Sequence, residues 1–370
     1  MQSKNQTIFN RAIIREDVLA SVDKLNYLRK KATADFINLE EYKRKDLRDC
    51  MKRIAIGNEE FFKRLPNNAD TISELYDLLS YEERVFLARL YRYIGNYLAE
   101  RLLKKNPIPK YVSVEQTSIN GINSEWNIFP GAKSDSVLLY MHGGGQLMLS
   151  SNSYRLFTIE LSKVTNLKVL SINYRLAPEY PFPSGLNDCV FVYKWLLNKG
   201  YDPKNIVIGG DSAGGNLTMA TLLKLRDEKI AMPAGAFALS PILDYTLSSK
   251  SMYENKETDP LLANGGIFWW DSAYIAGADP YNPYVSPLEA ELRNLPPILL
   301  QVSKTEMLYD HSVRFAKKAK NAGVKVTIQE WDKMVHVWQA FDKNIPESNE
   351  AIEKIGDFVQ SLFNHQSVFV

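Results

Sequence analysis

Residues 206–215 read Ile-Val-Ile-Gly-Gly-Asp-Ser-Ala-Gly-Gly, and the stretch Asn216 to Glu228 behind them carries Leu217, Met219, Leu222 and Leu223. A β-branched run ahead of a glycine cluster, with an apolar-periodic run after it, predicts a strand, a sharp turn and a helix. Gly210 to Gly214 fits G-x-S-x-G, in which the serine rides a strained strand-to-helix turn with its hydroxyl clear of the sheet edge. Glycines are needed at 210 and 214 because a Cβ would collide across so tight a turn, and Gly209 and Gly215 relieve the same crowding. The new helix aims its N-terminus at the serine and favours negative charge there. Ser212 is the candidate nucleophile. The plain alternative, an incidental serine in a Gly-rich turn, is weakened by the strand and helix on either side.

Further strands are expected at Val137–Met141, Val169–Ile172, Ala236–Leu239, Ile298–Val302 and Val326–Ile328. Several are continuously apolar, as parallel strands covered on both faces must be. Helical stretches intervene at Phe191–Asn198, Asn216–Glu228 and Ser312–Ala322, and this alternation predicts a doubly wound, mostly parallel α/β sheet from residue 111 to 370. Residues 1–110 read instead as helical. There Ser80-Tyr81-Glu82-Glu83 has capping-box form, followed by an apolar face at Leu87, Leu90, Ile94, Tyr97, Leu98 and Leu102. Between Leu239 and Ile298 the alternation breaks into an interval rich in aromatics, Asn and Pro, including Phe268-Trp269-Trp270 and Tyr274. Such an insertion is a usual place for a lid. A helical cap built from residues 1–110 and roughly 246–280 is expected, because the apolar helical face needs a partner.

Net charge is only +2, so no polyelectrolyte character points to nucleic acid. Residues 1–110 hold 22 Lys and Arg against 16 Asp and Glu, which reads as a solvated helical surface or, more sharply, as weak attraction to an anionic membrane. Cys50 and Cys189 lie in unlike contexts with no metal-ligand spacing, and no metal or cofactor is expected. The first ten residues lack the apolar core of a signal peptide, and no run approaches the ~18 apolar residues of a spanning helix. A cytoplasmic location is the expectation.

His142-Gly143-Gly144-Gly145 directly follows the strand ending at Met141. Consecutive glycines let a backbone approach a substrate closely and turn its N–H groups inward, while the residue after the nucleophile, Ala213, supplies a further donor. The phosphate-loop alternative needs G-x-x-x-x-G-K-[ST] or G-x-G-x-x-G, and neither is present. His142 at the base of the loop reads as structural. The chain has four histidines. His142 precedes the serine, His365 lies in a polar tail, and His311 falls inside the segment expected to carry the acid, so His336 is left as the base. Its ordinary pKa near 6.5 suits it to take and return a proton near neutrality. Glu306 and Asp310, both past the strand ending at Val302, are the acid candidates. Asp211 and Glu179 read as structural braces.

His142–Gly145, Asn173-Tyr174-Arg175-Leu176-Ala177-Pro178-Glu179 with Pro181-Phe182-Pro183, and Gly210–Gly215 together resemble the hormone-sensitive-lipase family of esterases. The likeness continues through Leu239-Ser240-Pro241 with Asp244, Val285-Ser286-Pro287, Leu295-Pro296-Pro297 and His336-Val337-Trp338, over about residues 110–345. It implies an α/β-hydrolase fold and a carboxylesterase acting on a small-molecule ester. It also implies oxyanion donors at Gly144 and Gly145, His336 as base, and Glu306 as acid; Asp310 then reads as the cap of the helix beginning near Ser312, a common structural job for Asp. Relatives often carry an aromatic after the glycines, where this chain has Gln146. Gln146, Leu147, Met148, Trp269 and Trp270 are candidate pocket residues, although apolar residues of this kind are more often core. Alternatives on the same scaffold are a lipase or deacetylase, or a ligand-binding relative without turnover; retention of His336 argues against the last. Dimers are frequent among relatives, so a homodimer is a further expectation.

Overall fold

Eight strands form one sheet in the order β1-β2-β4-β3-β5-β6-β7-β8. In this computed structural model, residues 13–39, 44–64, 75–263, 267–341 and 343–364 are described. The strands are β1 (Ser113–Ile119), β2 (Ile122–Ile128), β3 (Lys133–Met141), β4 (Leu167–Ile172), β5 (Ile206–Asp211), β6 (Gly235–Leu239), β7 (Ile298–Ser303) and β8 (Val326–Trp331). β3 to β8 pair in parallel, while β1 pairs β2 and β2 pairs β4 antiparallel. This is the doubly wound sheet that the alternation predicts. The sequence reading missed β1 and β2 because their residues are polar and short-spaced, without the apolar runs of the parallel strands. Asn120-Gly121 was the available signal: both residues have positive φ, at 51° and 85°, and they join Ile119 to its pairing partner Ile122. An Asn-Gly pair of this kind is the strongest short hairpin signature.

Helices cover both faces. α4 (Ser151–Thr165) and α10 (Pro346–Asn364) bring Tyr154, Phe157, Leu161, Ile352, Ile355 and Val359 onto one face. On the other, α5 (Ser184–Asn198), α6 (Ser212–Asp227) and α9 (Tyr309–Asn321) pack Tyr193, Leu196, Leu217, Leu222 and Phe315. Both free thiols are buried. Burial raises the Cys189 thiol well above its usual range, leaving it a small apolar group.

Three long helices precede the sheet: α1 (Glu16–Leu39), α2 (Arg44–Arg64) and α3 (Tyr81–Lys105). Two short ones, α7 (Ser251–Glu254) and α8 (Ile267–Ile275), lie between β6 and β7. Ser80 caps α3 with the complete reciprocal box. One apolar cluster joins Phe36, Phe86, Leu87, Leu90 and Ile94 of the leading helices to Tyr245, Met252, Trp269 and Tyr274. Leu102 is 48% exposed and leaves the face expected of it, which continues instead through the small residues Gly95 and Ala99. Gly95 lets Leu149 approach closely, since a Cβ there would lie 2.7 Å from the end of that side chain. α1 does something different: Ile14, Val18 and Val22 pack on Met334, Val335 and Trp338, the residues flanking His336. The first ten residues and His365 lie outside the described residues.

The turn between β5 and α6 is held against β3. A Cβ on Gly214 would sit 2.0 Å from the carbonyl oxygen of Met141, and one on Gly210 2.5 Å from both that oxygen and Gly214 O. A side chain at 210 is thus barred both by the turn itself, as anticipated, and by β3, whereas one at 214 is barred by the neighbouring strand. Gly209 and Gly215 answer to other neighbours again, Phe237 and Pro241. Because backbone oxygens cannot yield as side chains do, Gly214→Ala is expected to cost about 3 kcal/mol or more in a urea denaturation series; a loss under about 1 kcal/mol would show that the turn can spread.

Candidate active site

Ser212 begins α6 with φ at 51°, in the left-handed region that a non-glycine residue enters at a cost. The strained turn projects its hydroxyl toward the loop after β8. There Ser212 Oγ lies 2.9 Å from His336 Nε2, and His336 Nδ1 lies 2.8 Å from Glu306 Oε2. The other carboxylate oxygen of Glu306 accepts hydrogen bonds of 2.8 Å from Ser240 Oγ and 2.8 Å from the Ser303 N–H. All three side chains are nearly closed off from solvent, with residue exposures of 8% for Ser212, 8% for His336 and 0% for Glu306. Burial works against a charged His336, but the hydrogen bond it donates to Glu306 and the negative charges of Glu306, Asp259 and Asp211 outweigh it and raise its pKa. Burial likewise raises Glu306, with His336 and the Ser303 N–H acting in the opposite sense.

Asp310 lies elsewhere. Its carboxylate accepts from the Ser251 N–H at 3.0 Å, and α9 begins at Tyr309 after Leu308, so Asp310 sits within the first turn rather than capping a helix near Ser312. His311 is buried, held down to about 4 by that burial, and accepts from the Leu243 N–H at 3.1 Å. Neither is available to the serine.

The glycine loop runs through positive φ at Gly144 (107°), Gly145 (63°) and Gln146 (54°). A Cβ on Gly144 would lie 2.4 Å from Met148 O, so glycine is obligatory there. Gly143 donates its N–H to Asp211 Oδ1 at 3.0 Å, whereas no described protein group accepts from the N–H of Gly144 or Gly145. Ala213 sits in the first turn of α6, where N–H groups have no intrahelical acceptor. His142 is a brace. Its ring stacks on Tyr174 with centroids 4.5 Å apart, its Nδ1 is 2.8 Å from Gly143 O, and burial pushes it down to about 4, leaving it neutral.

Asp211 ties nucleophile turn and loop together. Oδ1 accepts from Tyr140 OH at 2.6 Å as well as from Gly143, and Oδ2 accepts from Tyr154 OH at 2.5 Å. Burial nevertheless pushes its pKa up to about 6 against those donors.

Gln146 turns inward, donating to Ala213 O at 3.3 Å and accepting from Tyr245 OH at 3.1 Å. Leu147 and Trp269 are fully buried members of the cluster under the leading helices. Trp270 is half-buried, meets Tyr91 edge-on at 5.3 Å, and lies 3.2 Å from where a Gly145 Cβ would be. Met148 is also half-buried, its carbonyl against Gly144.

Three contributors had escaped the sequence reading. Ser240 holds Glu306. Arg92 of α3 donates to Leu147 O at 2.8 Å and Ala177 O at 2.9 Å while pairing Glu179 with two bonds of 2.7 Å. The third, Asp259, is taken up below. Arg92 sits among nine other arginines of the first hundred residues with no local signature; only its partners distinguish it.

A model of the α/β-hydrolase fold matches residues 138–340. An acetyl-hydrolase of Streptomyces hygroscopicus is 35% identical over 66% of this chain and 81% of its own. An esterase of Acinetobacter venetianus is 36% identical over 71% of this chain and 86% of its own. Among solved structures, an esterase of the bacterial hormone-sensitive lipase family superposes with TM-score 0.70 at 34% identity, covering 87% of this chain and 99% of that one. An esterase/lipase from an uncultured bacterium gives 0.69 at 38%, covering 76% and 98%. The chain belongs to the α/β-hydrolase family, in its hormone-sensitive-lipase branch, and is an ester hydrolase. Among the described residues no helix is long and apolar enough to cross a membrane.

The raised Asp211 value carries a sign. An unfolded aspartate titrates near 3.9, so the folded chain favours the protonated form; that contribution is fully present below pH ~3.9 and is lost as pH rises through about 6. The stability of wild type relative to Asp211→Asn is therefore expected to fall by about 2 kcal/mol between pH 4 and pH 7. A difference that stays flat across that window in denaturant titrations would contradict the assignment.

Proposed function

We propose that this chain hydrolyses short- to medium-chain acyl esters through a Ser212–His336–Glu306 relay and an acyl-enzyme intermediate. The observation that carries this reading is the unbroken hydrogen-bond line from Ser212 Oγ through both ring nitrogens of His336 to Glu306. His336 Nε2 takes the hydroxyl proton as Ser212 Oγ bonds to the ester carbonyl carbon. The carbonyl oxygen gains the negative charge and is met by the N–H groups of Gly144, Gly145 and Ala213, each such donor worth roughly 3–4 kcal/mol of barrier. The tetrahedral carbon then expels the alcohol, which receives the proton from His336. Water, deprotonated by the same imidazole, attacks the acyl-enzyme, and Ser212 Oγ leaves with its proton restored. Glu306 holds the imidazole in the tautomer that leaves Nε2 free to accept, and stabilises the imidazolium. Similarity to relatives named acetyl-hydrolase and esterase supports a small acyl group.

Residues 1–110 and the segment around 246–280 act together as a cap over the catalytic unit, 111–370. The shared cluster of Phe86, Leu90, Trp269 and Tyr274 supports this, as does Trp270 against the glycine loop. Removing residues 1–80 is expected to change the acyl-length profile or expose an aggregating surface; an unchanged profile and solubility would argue against a cap.

The direct test is p-nitrophenol release from esters of acetyl length upward. Ser212→Ala and His336→Ala are each expected to lower kcat roughly 10⁴-fold or more, and Glu306→Gln roughly 10³–10⁴-fold. Because His336 must be neutral to accept the proton, kcat/KM should rise with pH through a value above 6.5, the ordinary imidazole pKa. Wild-type protein that releases no p-nitrophenol from any of these esters would overturn the proposal, as would a fully active Ser212→Ala.

A further inference from the structure

The turn that carries Glu306 belongs to neither a helix nor the sheet, so its backbone groups must find partners elsewhere. Four consecutive carbonyls are taken by side chains of one distant segment. Asn255 Nδ2 donates to Lys304 O at 2.9 Å and Glu306 O at 2.7 Å, Thr258 Oγ1 to Thr305 O at 2.8 Å, and Ser251 Oγ to Met307 O at 2.7 Å. Asp259 satisfies the opposite polarity. Its Oδ2 accepts from the Met307 N–H at 3.0 Å, while Oδ1 accepts from the N–H groups of Leu261 and Leu262, both at 3.0 Å. Asp259 is 1% exposed, although it lies in the insertion between β6 and β7.

The far side of the turn is tied to the histidine loop. Thr305 Oγ1 donates to Met334 O at 2.5 Å, and the Met334 N–H donates to Ser303 Oγ at 3.2 Å. Segment 251–262, the acid turn and the loop of His336 are therefore consecutive layers, and the middle one is shaped from both sides.

We propose that Asp259 is a positioning residue for Glu306, and that with Ser251, Asn255 and Thr258 it makes segment 251–262 the mould in which the acid turn is set. Seating of the insertion and alignment of Glu306 on His336 are then a single event. The inference rests on the Ser212–His336–Glu306 reading and extends it to a part of the chain otherwise assigned to covering the site. Asp259 also adds a buried carboxylate beside the relay. The charged groups facing His336 are Glu306 from the acid turn, Asp259 from the insertion and Asp211 from the nucleophile turn, all favouring the imidazolium. Asparagine at 259 keeps the size but removes that charge, and places an amide N–H against one of the three backbone donors.

In the full-length chain, Asp259→Asn is expected to lower kcat about 10- to 100-fold on p-nitrophenyl acetate with KM within about 2-fold. The acid limb of kcat/KM should move to lower pH, because a negative charge has been taken from the histidine. Asn255→Ala, which removes two carbonyl contacts and no charge, should lower kcat about 10-fold without displacing the limb by charge loss. The downfield proton resonance of the His336 Nδ1–H bonded to Glu306 should shift or broaden in both variants, a readout independent of turnover. A folded Asp259→Asn with kcat within 2-fold of wild type and an unmoved acid limb would overturn the proposal. If that variant does not fold, Asn255→Ala with wild-type kcat and an unchanged resonance does so instead. Failure of the ester-hydrolysis reading is separable, since it shows in the wild type or in Ser212→Ala, whereas this one shows only at 255 and 259.

Discussion

A single left-handed residue governs the arrangement. Ser212 at φ 51° turns the chain from β5 into α6 within one step, at a cost on the order of 1–3 kcal/mol that the surroundings must offset. They do so from three directions. Glycines let the turn close onto β3, Asp211 gathers Tyr140, Tyr154 and the Gly143 N–H around its base, and α6 is buried along nearly its whole length. The same carboxylate that steadies the nucleophile turn also shapes the glycine loop, so the two halves of the site share one anchor. Its buried charge is tolerable because three donors surround it, and its pKa of about 6 measures how incompletely they offset desolvation.

Around this anchor, distant pieces of chain each hold one part of the site. α1 packs on the residues flanking His336, Arg92 of α3 grips the Leu147 carbonyl just past the glycine loop together with that of Ala177, and segment 251–262 binds the acid turn. None of these touches Ser212. Their shared effect is to remove freedom from loops that a parallel sheet leaves unpaired at the ends of its strands. Preorganisation of this kind is where an ester hydrolase gains most, because polar groups held in place beforehand need no reorganisation as charge develops.

Much of the site was legible from local pattern. Ile206-Val207-Ile208 before Gly-Asp-Ser-Ala-Gly, and Val137–Met141 before three glycines, are strand-then-turn signals whose meaning does not depend on what packs against them. The inner parallel strands, β3 to β7, show as apolar runs because both of their faces are covered. β1 and β2 do not, since an edge hairpin alternates and contains Glu115, Glu125 and Asn127, and Glu125 is buried through a specific partner, Arg155, that lies 30 positions away. The apolar face of α3 ends differently for a similar reason: periodicity marks which residues can be buried, but Gly95 and Ala99, not Leu102, are the ones that packing covers.

The sequence by itself determined the strand–turn–helix around Ser212, the glycine loop and the parallel core, because each is written in contiguous residues with strong local preferences. It also narrowed the candidate base to His336 by chain order. The tertiary structure alone decided that Glu306 rather than Asp310 reaches that histidine, that Gly214 answers to Met141, and that Asp259 lies beneath the acid turn. Those outcomes depend on contacts across 30 to 73 positions of chain, where spacing carries no information and only packing brings the groups together.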